Sequence, residues 1–228
     1  MQRDSVYERL LSNQAKVSLS RIRGAMKPDV DEEERLDRAN LALQKVTNII
    51  FYTGTFTAEK IRMIVERDKL EVVIIDYMQL VKSSSRYSNR ASEVGEISHA
   101  IKAIAMDFNI PIFPLVQLNR AVEMRDDKEP TLSDIRESGD IEQDASQVIF
   151  LWTVPNKEDK DDTSLKGCRV AKNRNGQLGT VMLHFKGDEM RFEEVLLDGE
   201  PKAKSVKESK GYAFNETFGD DQYDLPFA

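Results

Sequence analysis

Val72-Val73-Ile74-Ile75-Asp76 is an unbroken apolar run, rich in β-branched residues, that ends in a carboxylate. Runs of this kind are typical of parallel strands buried on both faces. Outward from it, residues 93–108 form an amphipathic helix, with Val94, Ile97, Ile101, Ile104, Ala105 and Phe108 in register. Residues 112–116 and 148–152 are two further apolar strands. Upstream, Ile49-Ile50-Phe51-Tyr52 reads as a short strand, and Thr57 caps a helix whose apolar side is Ile61, Ile64 and Val65. Asp31 followed by Glu34 resembles a capping box that opens a helix through about Val46. Residues 1–11 read as a helix with Val6, Leu10 and Leu11 on one face. Strand and helix in alternation predict an α/β domain with a mostly parallel sheet flanked by helices.

The pattern changes downstream. Residues 167–172 and 180–185 are two strands around Asn173-Arg174-Asn175-Gly176, which predicts a C-terminal β-hairpin. Residues 155–164 form a charged loop, expected to be mobile. Residues 1–197 are taken as one domain. Residues 198–228 are polar and sparse in apolar side chains, and are expected to be an acidic, disordered tail.

Composition sets a class and no function. The chain has 228 residues and an apolar share that allows a real core. A single cysteine, Cys168, cannot form an internal disulfide, which suits a reducing cytoplasm. No apolar run is long enough to span a membrane, and residues 1–5 have no signal-peptide apolar region. The net charge of −7 argues against bulk electrostatic DNA binding. Net charge does not exclude a protein that carries positive charge only where it touches a nucleic acid.

Four stretches have residue types suited to chemistry, and each has a plainer reading alone. Asp76 at a strand end can hold the water shell of a nucleotide-bound Mg²⁺, or can be a polar residue leaving a strand. Gln117, after the next strand, can hydrogen-bond a γ-phosphate, or sit in a surface turn. Arg136-Glu137-Ser138-Gly139 offers backbone amides and a guanidinium to phosphates, or is a solvated charge run. Lys172 and Arg174 put two cations at a hairpin tip with nothing near in sequence to neutralise them. A projecting arginine suits a finger that reaches a neighbour's nucleotide, and an ordinary basic turn is the alternative.

Together these stretches resemble a family. Asp76-Tyr77-Met78-Gln79-Leu80, Glu93-Val94-Gly95-Glu96-Ile97-Ser98 and Gln117-Leu118-Asn119-Arg120-Ala121-Val122-Glu123 follow one another. Ser133-Asp134-Ile135-Arg136-Glu137-Ser138-Gly139-Asp140-Ile141-Glu142-Gln143-Asp144-Ala145 and Ala171-Lys172-Asn173-Arg174-Asn175-Gly176 complete the series. The series resembles the RecA-like motor of replicative DNA helicases of the DnaB type, over roughly residues 2–193. The resemblance implies a hexameric ring that hydrolyses ATP to translocate on single-stranded DNA and unwind duplex. It implies Asp76 as the carboxylate that positions Mg²⁺ through water, and Gln117 as the sensor linking the γ-phosphate to the DNA loops. It implies Arg136, Glu137 and Gly139 on single-strand phosphates, and Lys172 and Arg174 in the ATP site of the adjacent subunit.

The chain departs from the family at its front. No Gly-x-x-x-x-Gly-Lys-[Ser/Thr] loop occurs, and Met1 aligns one residue after the family's catalytic Glu. The first strand and phosphate loop are therefore expected to be absent, and the chain alone to be inactive without a partner segment that supplies them. Smaller departures are Pro114 inside a strand, where it removes a ladder donor, His99, Ser146-Gln147 and Trp152-Thr153-Val154-Pro155. They point to a divergent, phage-type member. The alternative function is a truncated, non-catalytic module that binds DNA or modulates a helicase ring. A recombinase of the wider RecA class would need other loop residues than Arg136-Glu137-Ser138-Gly139. Finally, Phe218-Gly219-Asp220-Asp221-Gln222-Tyr223-Asp224-Leu225-Pro226-Phe227-Ala228 resembles the acidic, Pro-Phe-ending tails with which bacterial single-strand-binding proteins recruit replication partners. A solvating acidic tail is the plainer reading.

Overall fold

The protein is seen in a computed structural model that describes residues 3–83, 89–125, 128–135, 139–156, 159 and 161–195. The chain divides into two units, Met1–Val195 and Leu196–Ala228. The tail and its Leu-Pro-Phe motif lie outside the described residues, as do residues 157–158 and 160 of the charged loop.

The apolar run becomes strand β1 (Val73–Ile75), which pairs in parallel with β2 (Ile112–Pro114) in the register Val73↔Ile112, Ile74↔Phe113, Ile75↔Pro114. Pro114 does not interrupt this pairing. The bonds to β1 use alternate residues, Val73 N to Pro111 O at 3.1 Å and Leu115 N to Ile75 O at 2.9 Å, so the donor that Pro114 lacks faces away from β1.

Helices α1 (Arg3–Ala15), α2 (Leu19–Ile22) and α3 (Val30–Gln44) precede β1. The capping box forms two residues earlier than expected. The Asp29 side chain accepts from Glu32 N, and the Glu32 side chain accepts from Asp29 N, each at 2.9 Å. Pro28 favours an extended residue before the helix, and Asp29 is the first residue able to serve as its cap. The apolar face of α1 is also shifted. Ser12 and Ala15 are buried with Val17 and Ala39, Leu11 packs on them, and Leu10 is exposed. Ser12 belongs to that face because its hydroxyl donates to Val17 O at 2.7 Å, so its burial costs no hydrogen bond.

Residues 49–53 form no strand. A strand needs a neighbour to take its backbone bonds, and among the described residues none pairs there. The Thr57 cap is as read, with its side chain accepting from Lys60 N at 3.3 Å to open α4 (Ala58–Asp68).

The long amphipathic helix α5 (Arg90–Asp107) buries Val94, Ile97, Ile101 and Ile104 as its periodicity required. With Ile61 and Val65 of α4 they form one core beneath Val73, Ile75 and Ile112. Each such side chain taken from water stabilises the fold by about 1.5–3 kcal/mol before entropy is counted.

A short helix, α6 (Gly139–Asp144), leads into β3 (Gln147–Thr153), β4 (Leu165–Asn173), β5 (Gly179–Lys186) and β6 (Arg191–Glu194). The hairpin read from the sequence is β4–β5, the middle of a four-stranded antiparallel sheet in the order β3-β4-β5-β6. Trp152 faces Gly167 in register. A Cβ at Gly167 would lie 2.2 Å from the Trp152 ring, so only glycine allows this approach.

Both sheets turn one apolar face to the core and leave the other bare. Phe150 is buried, with Val148 and Trp152 packed beside it, while Ile149 and Leu151 are 55% and 51% exposed. Val181 of β5 is 57% exposed, and Ile74 and Phe113, neighbours across β1 and β2, are 69% and 52% exposed. Among the described residues no helix is long and apolar enough to cross a membrane.

Candidate functional site

The carboxyl ends of β1 and β2 bring Asp76 and Gln117 to one edge. Asp76 follows the last residue of β1, and Gln117 lies just beyond β2. Parallel strands release their next residues on the same side, which is where ligands bind in open α/β sheets. Met78 N donates to Leu115 O at 2.8 Å and so extends the pairing past the strand ends. The Asp76–Tyr77 peptide is cis.

A single helical turn, Met78–Leu80, brings Gln79 back toward Gln117. Gln79 Oε1 accepts from Gln117 N at 3.4 Å, a long bond, and Gln79 Nε2 is buried with no partner among the described residues. Sequence reading quoted Gln79 only as part of a motif. An amide three residues after a strand-end carboxylate was the available signal.

Asp76 and Gln117 are both exposed. Among the described residues no group of three or more His, Cys, Asp or Glu is placed to hold a metal ion. Asp76 is therefore outside any such group, and offers one carboxylate. That donor set suits Mg²⁺ held mainly by phosphate and water, and does not suit a protein cage.

The strand end of Gln117 is joined to the next segment by backbone. Leu118 makes an antiparallel bridge with Ile135, and Asn119 N donates to Asp134 O at 2.8 Å. Asp134 is itself fixed, because Oδ2 accepts from Thr131 N and Thr131 Oγ1, each at 2.8 Å, and from Arg125 Nη2. Arg136 and Glu137, expected on DNA phosphates, lie outside the described residues. Gly139 is described and opens α6 at an exposed position.

Helix α6 sits closely on α5. A Cβ at Gly95 would lie 2.1 Å from Asp140 Oδ2, so the helices approach where one has no side chain. Ser98 Oγ donates to Asp144 Oδ2 at 2.6 Å, and His99 Nδ1 lies 2.8 Å from the same oxygen. Ile141 is buried in the core. Sequence reading missed this clamp because each partner alone resembles an ordinary polar helix residue.

Lys172 and Arg174 are seated on α6. Lys172 Nζ donates to Glu142 O, Arg174 Nη2 donates to Gln143 O at 2.7 Å, and Arg174 N donates to Ser146 O at 3.0 Å. Carbonyls in the last turn of a helix lack intrahelical donors and carry partial negative charge. Two cations that had no neutralising neighbour in sequence thus find one in backbone about 30 residues away. The described structure joins Asp76 with Gln117, and Gly139's helix with Lys172 and Arg174. Neither cation is hydrogen-bonded to Asp76 or Gln117 among the described residues.

Comparison with known proteins gives this arrangement a family. The family described as "DnaB-like helicase C terminal domain" matches residues 1–194. The chain is 35% identical over 201 residues to "Replicative DNA helicase DnaB" of Buchnera aphidicola subsp. Baizongia pistaciae (strain Bp), covering 85% of this chain and 43% of that protein. It is 35% identical over 214 residues to the protein of the same name from Rickettsia prowazekii (strain Madrid E), covering 84% and 44%. The chain therefore spans under half the length of these relatives.

Among solved structures, "The Structure Of A DnaB-Like Replicative Helicase And Its Interactions With Primase" superposes with a TM-score of 0.79 at 27% identity, over 86% of this chain and 49% of that one. A second, described as an "ATPase Domain", gives 0.78 at 27%, over 86% and 72%. The fold is thus the RecA-like fold of helicase ATPase domains, with its parallel strands, flanking helices and antiparallel sheet. With a match that spans all but one of the described residues of the first unit, the chain belongs to the DnaB-like helicase C-terminal domain family.

Proposed function

We propose that this chain is the C-terminal portion of an ATP-dependent replicative DNA helicase, which translocates on single-stranded DNA and unwinds duplex as a hexameric cytoplasmic ring. The observation that supports it is the backbone link from Gln117 through Leu118 and Ile135 to the segment before Gly139. It gives a nucleotide-facing strand end a backbone connection to the residue that precedes Arg136.

In this reading Asp76 orients the water shell of Mg²⁺ on bound ATP, and Gln117 senses the γ-phosphate. Arg136, Glu137 and Gly139 face single-strand phosphates. Lys172 and Arg174 reach the nucleotide of the adjacent subunit. ATP and Mg²⁺ supply the phosphoryl-transfer chemistry, and this chain's residues orient it, report it and pass it to DNA.

In this reading the phosphate loop and the catalytic Glu come from a segment outside residues 1–228. The bare apolar sides of both sheets support such a partner, since Ile74, Phe113, Ile149, Leu151 and Val181 form the kind of surface that another layer covers. Other replication proteins docking on the tail remain a further part of the proposal, carried by the sequence of residues 218–228 alone.

The test is steady-state ATP hydrolysis with single-stranded DNA, for the chain alone and mixed with a polypeptide carrying the phosphate loop. The chain alone is expected to be silent, and the mixture to turn over in a manner abolished by Asp76→Ala. Turnover by the isolated chain that Asp76→Ala abolishes overturns the incomplete-site reading. A silent mixture in which the two pieces associate favours the non-catalytic module.

A further inference from the structure

Helix α6 belongs to two parts of the proposed machine at once. Its first residue, Gly139, is the described end of the DNA-facing segment. Two carbonyls of its last turn, Glu142 O and Gln143 O, hold Lys172 and Arg174, the two cations assigned to the neighbouring subunit's nucleotide. A Lys172 ammonium and an Arg174 fork turned back onto α6 are not extended toward a neighbour. Reaching outward draws them off the carbonyls they cap, and those carbonyls then have no intrahelical donor.

We propose that Lys172 and Arg174 are positioning residues for the DNA-facing end of their own subunit's α6, in addition to their role in trans. Seated, they complete the helix and hold Gly139. Drawn off by a phosphate, they loosen it. A phosphate captured at the hairpin tip and a strand held at Gly139 are therefore linked within one subunit, and linkage of this kind is reciprocal. The inference rests on the reading of Gly139 as DNA-facing.

Other contacts also hold the helix. Asp144 is already clamped to Ser98 and His99, and Ile141 is buried. If those contacts suffice, the cations are dispensable to α6.

Peptide-resolved amide hydrogen exchange on the full chain decides this. The Lys172→Ala/Arg174→Ala pair is expected to quicken exchange over residues 139–146 by about tenfold, the effect of losing two cations from one helix end. The Lys172→Arg/Arg174→Lys pair keeps both cations and should stay within about twofold of the wild type. Unchanged exchange in the alanine pair overturns the proposal, and so does failure of the conservative pair to restore protection in a chain that melts normally.

A second arm titrates a labelled oligo-dT at several salt concentrations. A positioning role lowers affinity in the alanine pair and leaves the salt slope alone. A slope smaller by about 0.7 per lost cation means that the cations touch DNA themselves, and overturns the role. Quickened exchange in a chain whose wild type binds no oligo-dT upholds the seat on α6 and overturns the DNA reading of Gly139.

Discussion

Leu118 is paired antiparallel with Ile135, so the residue after Gln117 is bonded through its backbone neighbourhood to the residue before Arg136. The bond from Asn119 N to Asp134 O at 2.8 Å carries that pairing among the described residues. Ile135 also plugs the core, where it is buried against α5. Ile135→Ala is expected to cost about 2–5 kcal/mol and Ile135→Val about 0.5–1.5 kcal/mol in urea unfolding. Equal, negligible losses for both would show that the pairing is not anchored in the core.

Gly167 faces Trp152 with no room for a methyl group. Gly167→Ala forces the ring or the β3–β4 pairing to move, at about 1–3 kcal/mol. Trp152 is the only tryptophan, so its emission reports the site directly. The expected outcome is a shifted emission maximum together with a lower unfolding midpoint. An unchanged spectrum would remove the packing argument.

Asp68 ends α4 and accepts from Arg67 Nε at 2.9 Å and Nη2 at 2.6 Å, and from the Tyr52 hydroxyl. The Arg67 bonds foremost, then the Tyr52 bond, hold its carboxyl down at about 2. A depressed carboxylate stabilises the fold above its unfolded value of about 3.9 and loses that contribution as pH falls toward the folded value. The difference in melting temperature between wild type and Asp68→Asn should therefore be constant above about pH 5. It should shrink between about pH 4 and pH 2. A difference that stays level throughout would assign the effect to something other than the charge.

Arg174 acts across a subunit boundary in the proposed ring. With the phosphate-loop segment supplied, Arg174→Ala should lower turnover on the order of a thousandfold or more. Rings mixed from Arg174→Ala and Asp76→Ala subunits should recover activity above either parent, since some interfaces then hold an intact Asp76 beside an intact Arg174. Mixed rings no better than their parents, in conditions where wild-type mixtures work, would place the residue in its own subunit's site.

Much of this was legible before any coordinates. The continuous run before Asp76 predicted the strand, but not its burial on both faces, since Val72 and Ile74 are 52% and 69% exposed. The spacing of Val94, Ile97, Ile101 and Ile104 predicted α5 because a helical period places them on one side. Thr57 predicted a helix start because its side chain meets an amide three residues ahead. The order of short motifs from Asp76 to Gly176 was enough to indicate the family.

What failed or was missing is of another kind. Residues 49–53 have strand-like composition and, among the described residues, no neighbour to pair with. Leu10 is as apolar as Leu11 and lies outside the α1–α3 contact. Gln79 is tied to Gln117, Asp144 to Ser98 and His99, and Lys172 and Arg174 to the end of α6, all across long stretches of chain. Sequence alone determined the properties set by near neighbours, namely period, propensity, caps and motif order, because their energies are decided within a turn or a strand. Tertiary structure alone decided which face is covered and which carbonyl receives a cation. Those choices depend on which distant groups arrive within hydrogen-bonding distance of about 3 Å, and only packing settles that.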